Sequence, residues 1–178
     1  MRVVLRPARV EDAATLARLY SENRAFLAPF DPPRSEAYFT EDGQRSGLRR
    51  LAELRAAGAT ERFLIVCDGD VVGVLSVSNI IRGPLQSATI GYFVAQGRNG
   101  RGIATRAVAR VAEWAFEDAG LHRLEAGTLP DNIASQRVLE RNGFTRIGYA
   151  PKYLYIAGEW RDHILYQRVA ADPSPPGS

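Results

Sequence analysis

Alternating apolar and polar positions divide this chain into strands and helices. Short apolar runs predict strands at 3–6, 62–67, 71–78 and 88–94. Apolar residues at helical spacing predict helices over 10–21, 41–57 and 104–119. The remaining pattern predicts a strand at 122–128, a helix at 133–141 and strands at 145–149, 152–156 and 160–168. This order indicates a mixed sheet with helices on both faces, in a single domain over residues 1–170.

Two segments interrupt this pattern. Residues 26–33 hold three prolines together with Phe26, Leu27 and Phe30, and prolines interrupt a helix. We predict a stiff loop that either forms a wall of a substrate groove or covers the core. At the other end, residues 172–178 contain no apolar residue, so 171–178 is predicted to be a disordered tail.

Composition excludes several classes of protein. The 178 residues are 46% hydrophobic and carry a net charge of only +3, without a basic cluster that would predict direct DNA binding. No apolar run is long enough to cross a bilayer or to serve as a signal peptide, so we expect a cytoplasmic protein without a membrane partner. Cys67 is the single cysteine, which excludes an intramolecular disulfide and a cysteine metal site, and we expect no bound metal.

A glycine-rich turn joins the strand ending near Val94 to a long helix. Gly100 and Gly102 lie just before that helix, where the backbone can approach a ligand without side chains in between. The first N–H groups of a helix lack internal acceptors and attract anions such as a diphosphate. The same glycines also suit a plain tight turn, and the pattern alone leaves both interpretations open.

Several blocks resemble motifs of the GCN5-related N-acetyltransferases (GNAT). The glycine turn is similar to that family's acetyl-CoA pyrophosphate loop, and Asn132-Ile133-Ala134-Ser135 followed by Gly143-Phe144 is similar to its next block. Further matches resemble the Rim-type (RimJ/RimL-like) ribosomal-protein alanine N-acetyltransferases: Glu22-Asn23-Arg24, Ser78-Asn79, Gly91-Tyr92, Pro130-Asp131-Asn132, Gly148-Tyr149-Ala150 and Trp160-Arg161-Asp162-His163. The resemblance covers nearly the whole chain except the tail. It implies the GNAT fold of the α/β (α+β) class, a mixed and mostly antiparallel sheet that splays at the cofactor site.

The resemblance also implies acetyl-CoA, released as CoA, as the cofactor. The implied cofactor-binding residues are Phe93, Val94, Arg98, Asn99, Gly100, Arg101, Gly102, Ile103, Ala104, Asn132 and Ser135. Two positions depart from the family pattern. Gly97 stands where many relatives have Gln or Arg, and Thr89 stands where many have a glutamate that helps to take the amine proton.

Acetyl transfer from a thioester to an amine needs an oxyanion donor and an acid for the departing thiolate. The resemblance implies a backbone N–H near Val94 as the oxyanion donor and the Ser135 hydroxyl as the acid. Ser135 could instead bond only its own helix, and Asn132 could be a helix cap, a cofactor contact or both. The base stays open between water, Glu22 and Glu125.

For the acceptor side we predict a groove walled by the proline-rich loop and the turn 155–160. The predicted substrate-binding residues are Asn23, Phe26, Asn79, Tyr155, Trp160 and Asp162. Asp162 or Glu159 is the candidate partner of the acceptor ammonium, and Asp162 could instead fix a loop. His163 could titrate near neutral pH, although a lone strand histidine is more often structural.

The resemblance, together with the absence of an obvious acyl-carrying nucleophile, implies an acetyl-CoA-dependent N-acetyltransferase that acts directly, in a ternary complex, on the N-terminal α-amine of a ribosomal protein, with alanine as the expected first residue. The ribosome itself is a further candidate partner, and we expect a monomer or weak dimer. Two alternatives are a small-molecule amine acetyltransferase, for an antibiotic or polyamine, and a non-catalytic ribosome-associated factor.

Overall fold

The structure, a computed structural model, describes residues 1–171, so the predicted tail lies outside the described residues from Asp172 onward. Within that range, seven strands form one sheet in the order β1-β2-β3-β4-β5-β7-β6. The strands are β1 Val3–Pro7, β2 Glu61–Cys67, β3 Asp70–Ile81, β4 Ser87–Val94, β5 Arg123–Thr128, β6 Thr145–Ile156 and β7 Glu159–Val169. Only β4 and β5 run parallel; the other neighbouring pairs are antiparallel. The prediction of a mixed, mostly antiparallel sheet is confirmed.

Helices cover both faces of the sheet, as predicted. They are α1 Ala13–Glu22, α2 Arg24–Leu27, α3 Glu41–Ala56, α4 Ile103–Glu113 and α5 Ile133–Arg141. On one face, Leu16 of α1 and Leu48 of α3 pack with Leu64 of β2. On the other face, Val108 of α4 lies in a second core cluster with Leu124 of β5. Helices α1, α3 and α4 each bury an apolar stripe, which is the arrangement that their periodicity predicts.

Three details of the element boundaries differ from the prediction. The helix that begins at Ile103 becomes π-helical over Trp114–Asp118, where the Trp114 ring packs edge-on against Phe63 with centroids 5.1 Å apart. The two strands predicted at 145–149 and 152–156 are one strand, β6, whose register against β7 shifts twice. The short helix α2 ends inside the segment 26–33 for which we predicted a loop, because it includes Phe26 and Leu27.

The sheet opens between its two parallel strands. Strands β4 and β5 pair only through Ser87–Arg123, Ala88–Leu124 and Thr89–Glu125. Beyond Thr89, β4 stays paired with β3 up to Val94, whereas β5 stays paired with β7 up to Thr128. Among the strands of residues 1–171, none pairs with this edge of the β4 segment 90–94, at the place where the resemblance implies a splayed sheet.

No helix among residues 1–171 combines the length and the apolar character that crossing a membrane requires.

Candidate functional site

The turn after β4 has the backbone of an anion cradle. Gly100 and Gly102 adopt left-handed conformations with φ of 76° and 72°, which glycine reaches without strain. Gly102 caps α4 without a side-chain hydrogen bond, and among residues 1–171 no side chain accepts from the N–H groups at that helix start. A Cβ atom built on either glycine would meet no atom within 4 Å. The glycines thus keep open the space in front of free helix N–H groups.

A cavity of about 510 Å³ lies between this turn, the unpaired edge of β4 and α5. We call it the cofactor cavity. All of the predicted cofactor-binding residues except Arg101 line it. Arg98, Arg137 and Arg141 add positive charge at its wall. Arg98 is paired with Asp70 at 2.9 Å, whereas Arg137 and Arg141 form no salt bridge within the described residues. This charge favours an anionic ligand.

The start of α5 brings a serine and a tyrosine together at the edge of this cavity. Asn132 Oδ1 accepts a hydrogen bond from the Ser135 N–H at 3.1 Å, so Asn132 is a helix cap. The Ser135 Oγ atom lies 2.9 Å from the Tyr92 Oη atom. Burial of Tyr92, partly offset by the hydrogen bond to Ser135, raises the pKa of that phenol to about 12. Tyr92 therefore remains protonated at neutral pH and holds the serine hydroxyl.

Sequence reasoning missed Tyr92 as a functional residue, although the pattern of β4 contains a signal. Alternate residues of this strand, Ala88, Ile90 and Val94, are buried in the core cluster beneath α4. Tyr92 is the one residue of this alternating row with a polar tip. A hydroxyl on an otherwise apolar row of a strand needs a partner. Nothing in the sequence pattern shows that the partner lies 43 residues further along the chain, in α5.

A second cavity, of about 570 Å³, is lined by residues of β4 and β5 around the opening of the sheet, and we call it the acceptor cavity. Its lining includes small and polar strand residues: Ser76, Ser78, Asn79, Thr89, Gly91, Glu125 and Gly127. The loop around Phe30 and the end of β6 near Tyr155 contribute further walls. Six residues line both cavities: Leu27, Phe30, Tyr92, Phe93, Asn132 and Ser135. The two cavities therefore meet at the C-terminal end of β4 and the start of α5.

The residues predicted for acceptor binding are divided among several places. Asn79 and Tyr155 line the acceptor cavity, whereas Phe26 lines the cofactor cavity. Asn23 is buried, where its Oδ1 accepts from the Gln96 N–H at 2.8 Å and its Nδ2 donates to the Leu19 carbonyl. These bonds connect the end of α1 to the segment that leads into the glycine turn. Asn23 therefore helps to position that turn, although it lines neither cavity.

The two remaining acceptor candidates lie outside both cavities. Trp160 is 61% exposed, with its ring 5.7 Å from that of Tyr155. Asp162 accepts hydrogen bonds from the Tyr149 hydroxyl and, at 2.8 Å, from the Lys152 N–H. These two hydrogen bonds lower the pKa of Asp162. Its carboxylate is thus already satisfied by the β6–β7 hairpin, which matches the loop-fixing alternative.

Two other residues considered in the sequence analysis, His163 and Cys67, are buried. His163 is buried, with its ring 5.4 Å from that of Tyr153 and its Nδ1 atom 3.2 Å from the Arg161 carbonyl. Cys67 is a buried free thiol. Within residues 1–171, no group of three or more histidine, cysteine or acidic side chains is arranged to hold a metal ion.

Comparison with known proteins gives a consistent result. The family model described as "Acetyltransferase (GNAT) domain" matches residues 2–145. The probable N-acetyltransferase YjcK of Bacillus subtilis is 42% identical over 163 residues, which cover 90% of each chain. The solved ribosomal-protein-S5-alanine acetyltransferase of Vibrio fischeri is 37% identical with a TM-score of 0.93, covering 98% of this chain and 97% of that one. Mycobacterium smegmatis RimJ, solved in complex with CoA-disulfide, is 36% identical with a TM-score of 0.92, covering 97% and 85%.

Proposed function

The chain belongs to the GNAT acetyltransferase family and is an N-acetyltransferase, as its motifs predict; from this premise we propose that it transfers the acetyl group of acetyl-CoA to the N-terminal α-amine of a ribosomal protein, preferably an alanine. The observation that carries the proposal is the meeting of two cavities at the end of β4. An acetyltransferase that forms a ternary complex needs this arrangement, with donor and amine entering from opposite sides.

The names and ligands of the relatives support the choice of donor and acceptor. The Vibrio fischeri protein is named for the alanine of ribosomal protein S5, and the mycobacterial protein was solved with CoA. Both resemble this chain over nearly its full length. We extend the proposal to a single catalytic domain over residues 1–170 that works in the cytoplasm as a monomer or weak dimer.

The donor fits the cofactor cavity through the backbone and through charge. The N–H groups at the start of α4 and the open space at Gly100 and Gly102 suit a diphosphate. The positive charges of Arg137 and Arg141 suit the remaining phosphate charge. The free edge of β4 at Phe93 and Val94 suits the amide-bearing arm, because an unpaired strand edge offers backbone hydrogen bonds. Acetyl-CoA, when bound, supplies the thioester that is the acetyl donor.

The chemistry follows from the residues where the cavities meet. A backbone N–H of the β4 edge near Val94 stabilises the oxyanion that forms when the amine attacks. In our proposal, the Tyr92 hydroxyl donates a hydrogen bond to Ser135 Oγ, and the Ser135 hydroxyl gives its proton to the departing thiolate as the C–S bond breaks. Thr89 is not a base at neutral pH; the proton that the amine loses passes to water in the open acceptor cavity, and a proton from that water restores the serine hydroxyl. No acyl-enzyme intermediate is needed.

Mass spectrometry of ribosomal protein N-termini tests the proposal most directly. Cells that contain and cells that lack this protein should differ in the acetylation of one ribosomal N-terminus that begins with alanine. The same change should be reproduced in vitro with purified protein, acetyl-CoA and a peptide of that sequence. Identical N-termini in both cells, together with efficient acetylation of a polyamine, would replace the proposal with a small-molecule activity.

A further inference from the structure

Two carboxylates line the acceptor cavity, Asp31 and Glu125. A protein α-amine is an ammonium ion at neutral pH, so a cavity that receives it benefits from a negative charge close to the reacting end. The positions and surroundings of the two carboxylates distinguish which one serves this purpose.

Asp31 lies next to the place where the cavities meet. The residue before it, Phe30, lines both cavities. The main chain of Asp31 is held on both sides, because its N–H donates to the Leu27 carbonyl at 3.0 Å and its carbonyl accepts from the Ala157 N–H at 3.2 Å. Glu125, in contrast, is in register with Thr89, three residues before Tyr92 and therefore about 10 Å along the strand from the place where the two cavities meet.

Aromatic rings connect Asp31 to the end of β4. Tyr20 packs on the Phe93 ring with centroids 5.2 Å apart and on the Tyr38 ring at 4.8 Å. The guanidinium of Arg34, which pairs with the Asp31 carboxylate, lies over the Tyr38 ring. Arg34 therefore links the Asp31 carboxylate to the ring cluster that touches Phe93. Such rings also favour a cation near their faces.

The Asp31 carboxylate lacks sufficient partners of its own. Its side chain is only 33% exposed, and it accepts no hydrogen bond from another residue among those described. The nearest cation is the Nε atom of Arg34 at 3.6 Å, and the guanidinium of Arg34 also lies over the Tyr38 ring at 4.6 Å. Burial raises the pKa of Asp31 by more than Arg34 lowers it. A partly desolvated carboxylate of this kind gains most from a ligand that brings N–H donors and positive charge.

We propose that Asp31 binds the α-ammonium group of the acceptor and fixes it at the end of β4. This inference rests on the proposed function, since it concerns the amine that is acetylated. The ammonium supplies the hydrogen-bond donors that the carboxylate lacks, and the rings of Tyr20, Tyr38 and Phe93, which line the same cavity, favour a cation. Asp31 thus makes the enzyme bind a peptide with a free α-ammonium group more tightly than a peptide whose N-terminal end is uncharged.

The test is steady-state kinetics with an alanine-terminated peptide and saturating acetyl-CoA. Asp31→Asn keeps the side-chain shape and removes the charge. We expect its KM for the peptide to rise about tenfold to a hundredfold while kcat changes by less than about threefold, because the lost contact acts mainly in binding. Asp118→Asn is the matched control: Asp118 is exposed, lies at the end of the π-helical segment and lines neither cavity, so its KM should not change.

A second measurement separates ammonium binding from a general effect on folding. The probe is the same peptide with an N-terminal propionyl group in place of alanyl, which keeps the size and lacks the amine. As a competitive inhibitor, it should bind the wild-type enzyme about tenfold or more weakly than the amine peptide does. In Asp31→Asn the two peptides should bind alike. Asp31→Glu, which retains the charge, should restore part of the discrimination.

The outcomes are distinct. A wild-type enzyme that leaves the alanine peptide unmodified overturns the proposed function and the ammonium site together. If the wild type reacts but Asp31→Asn keeps its KM and its preference for the amine peptide, only the ammonium site is overturned. If Asp31→Asn fails to fold, Asp31→Glu decides, because an ammonium partner predicts that this variant retains a measurable preference for the amine peptide.

Discussion

The hydrogen bond between Tyr92 and Ser135 makes a prediction that three variants can test. Ser135→Ala removes the proposed acid, Tyr92→Phe removes only the hydroxyl that orients it, and the double variant removes both. The Oη and Oγ atoms are 2.9 Å apart, so each single change breaks one direct contact and leaves the ring and the helix in place.

The magnitudes follow from the separate tasks of the two hydroxyl groups. Loss of a positioned acid lowers turnover by about tenfold to a thousandfold. Loss of the orienting hydrogen bond removes about 1 kcal/mol, which corresponds to about a fivefold decrease in turnover. Because Tyr92 acts only through Ser135, the double variant should be no slower than Ser135→Ala. Two independent contributions would instead multiply.

The assay is the release of free CoA thiol from acetyl-CoA, at saturating concentrations of both substrates. Acetyl-CoA affinity, measured by calorimetry, should change by less than about threefold in all three variants, since the effect lies in the departure of the thiolate. The pKa of Tyr92 is raised to about 12, so its ionisation should not affect rates measured between pH 7 and 9. Turnover of Ser135→Ala within twofold of wild type, or a double variant that shows the full product of both losses, would refute this mechanism.

Three further predictions concern the turn, the substrate and stability. Gly102→Ala should weaken acetyl-CoA binding at least about tenfold, whereas Gly58→Ala, at a similar positive φ of 69° with equally open surroundings, should cost similar stability without changing affinity. Peptides that begin with alanine or serine should react far faster than those that begin with leucine or tryptophan, and an N-terminally blocked peptide with free lysines should not react; mass spectrometry of the products decides. Asp31→Asn should raise the melting temperature. The difference in melting temperature between the variant and the wild type should grow as the pH rises from about 3 through the raised pKa of Asp31, because the carboxyl group loses its proton at a lower pH in the unfolded chain than in the folded one. A constant difference across this range would contradict a buried, ionised Asp31.

The sequence predicts the elements of this fold well because each depends on local patterns. The strand ending at Val94, the two left-handed glycines and the helix from Ile103 all follow from neighbouring residues. The hairpin turn at Ala157 and Gly158 follows in the same way, and both residues have positive φ in the structure. The π-helical segment after Glu113 does not follow, because it depends on packing between Trp114 and Phe63, which are far apart in the chain.

The site is less predictable, because its essential contacts connect distant segments. The cofactor side depends on one continuous turn, and the sequence therefore indicates most residues of that cavity. The Tyr92–Ser135 contact joins β4 to α5, and Asp31 reaches the acceptor cavity through a proline-rich loop without periodicity. For Asp162 the sequence suggests a role that the structure does not support. A carboxylate in an aromatic-rich strand suggests ligand binding, but hydrogen bonds within the β6–β7 hairpin already satisfy it.

The short parallel contact between β4 and β5 also has a consequence for how the chain folds. Strands β2, β3 and β4 pair with their neighbours in sequence, as do β6 and β7, so these contacts close short loops and form quickly. The three pairs between Ser87–Thr89 and Arg123–Glu125 must wait for α4 to pack, because a parallel pair requires a crossover. We expect this seam to form after the hairpins and to open before them. Amide hydrogen exchange of residues 87–89 and 123–125 should therefore be faster than in the hairpins, and it should slow when acetyl-CoA joins the two halves of the sheet.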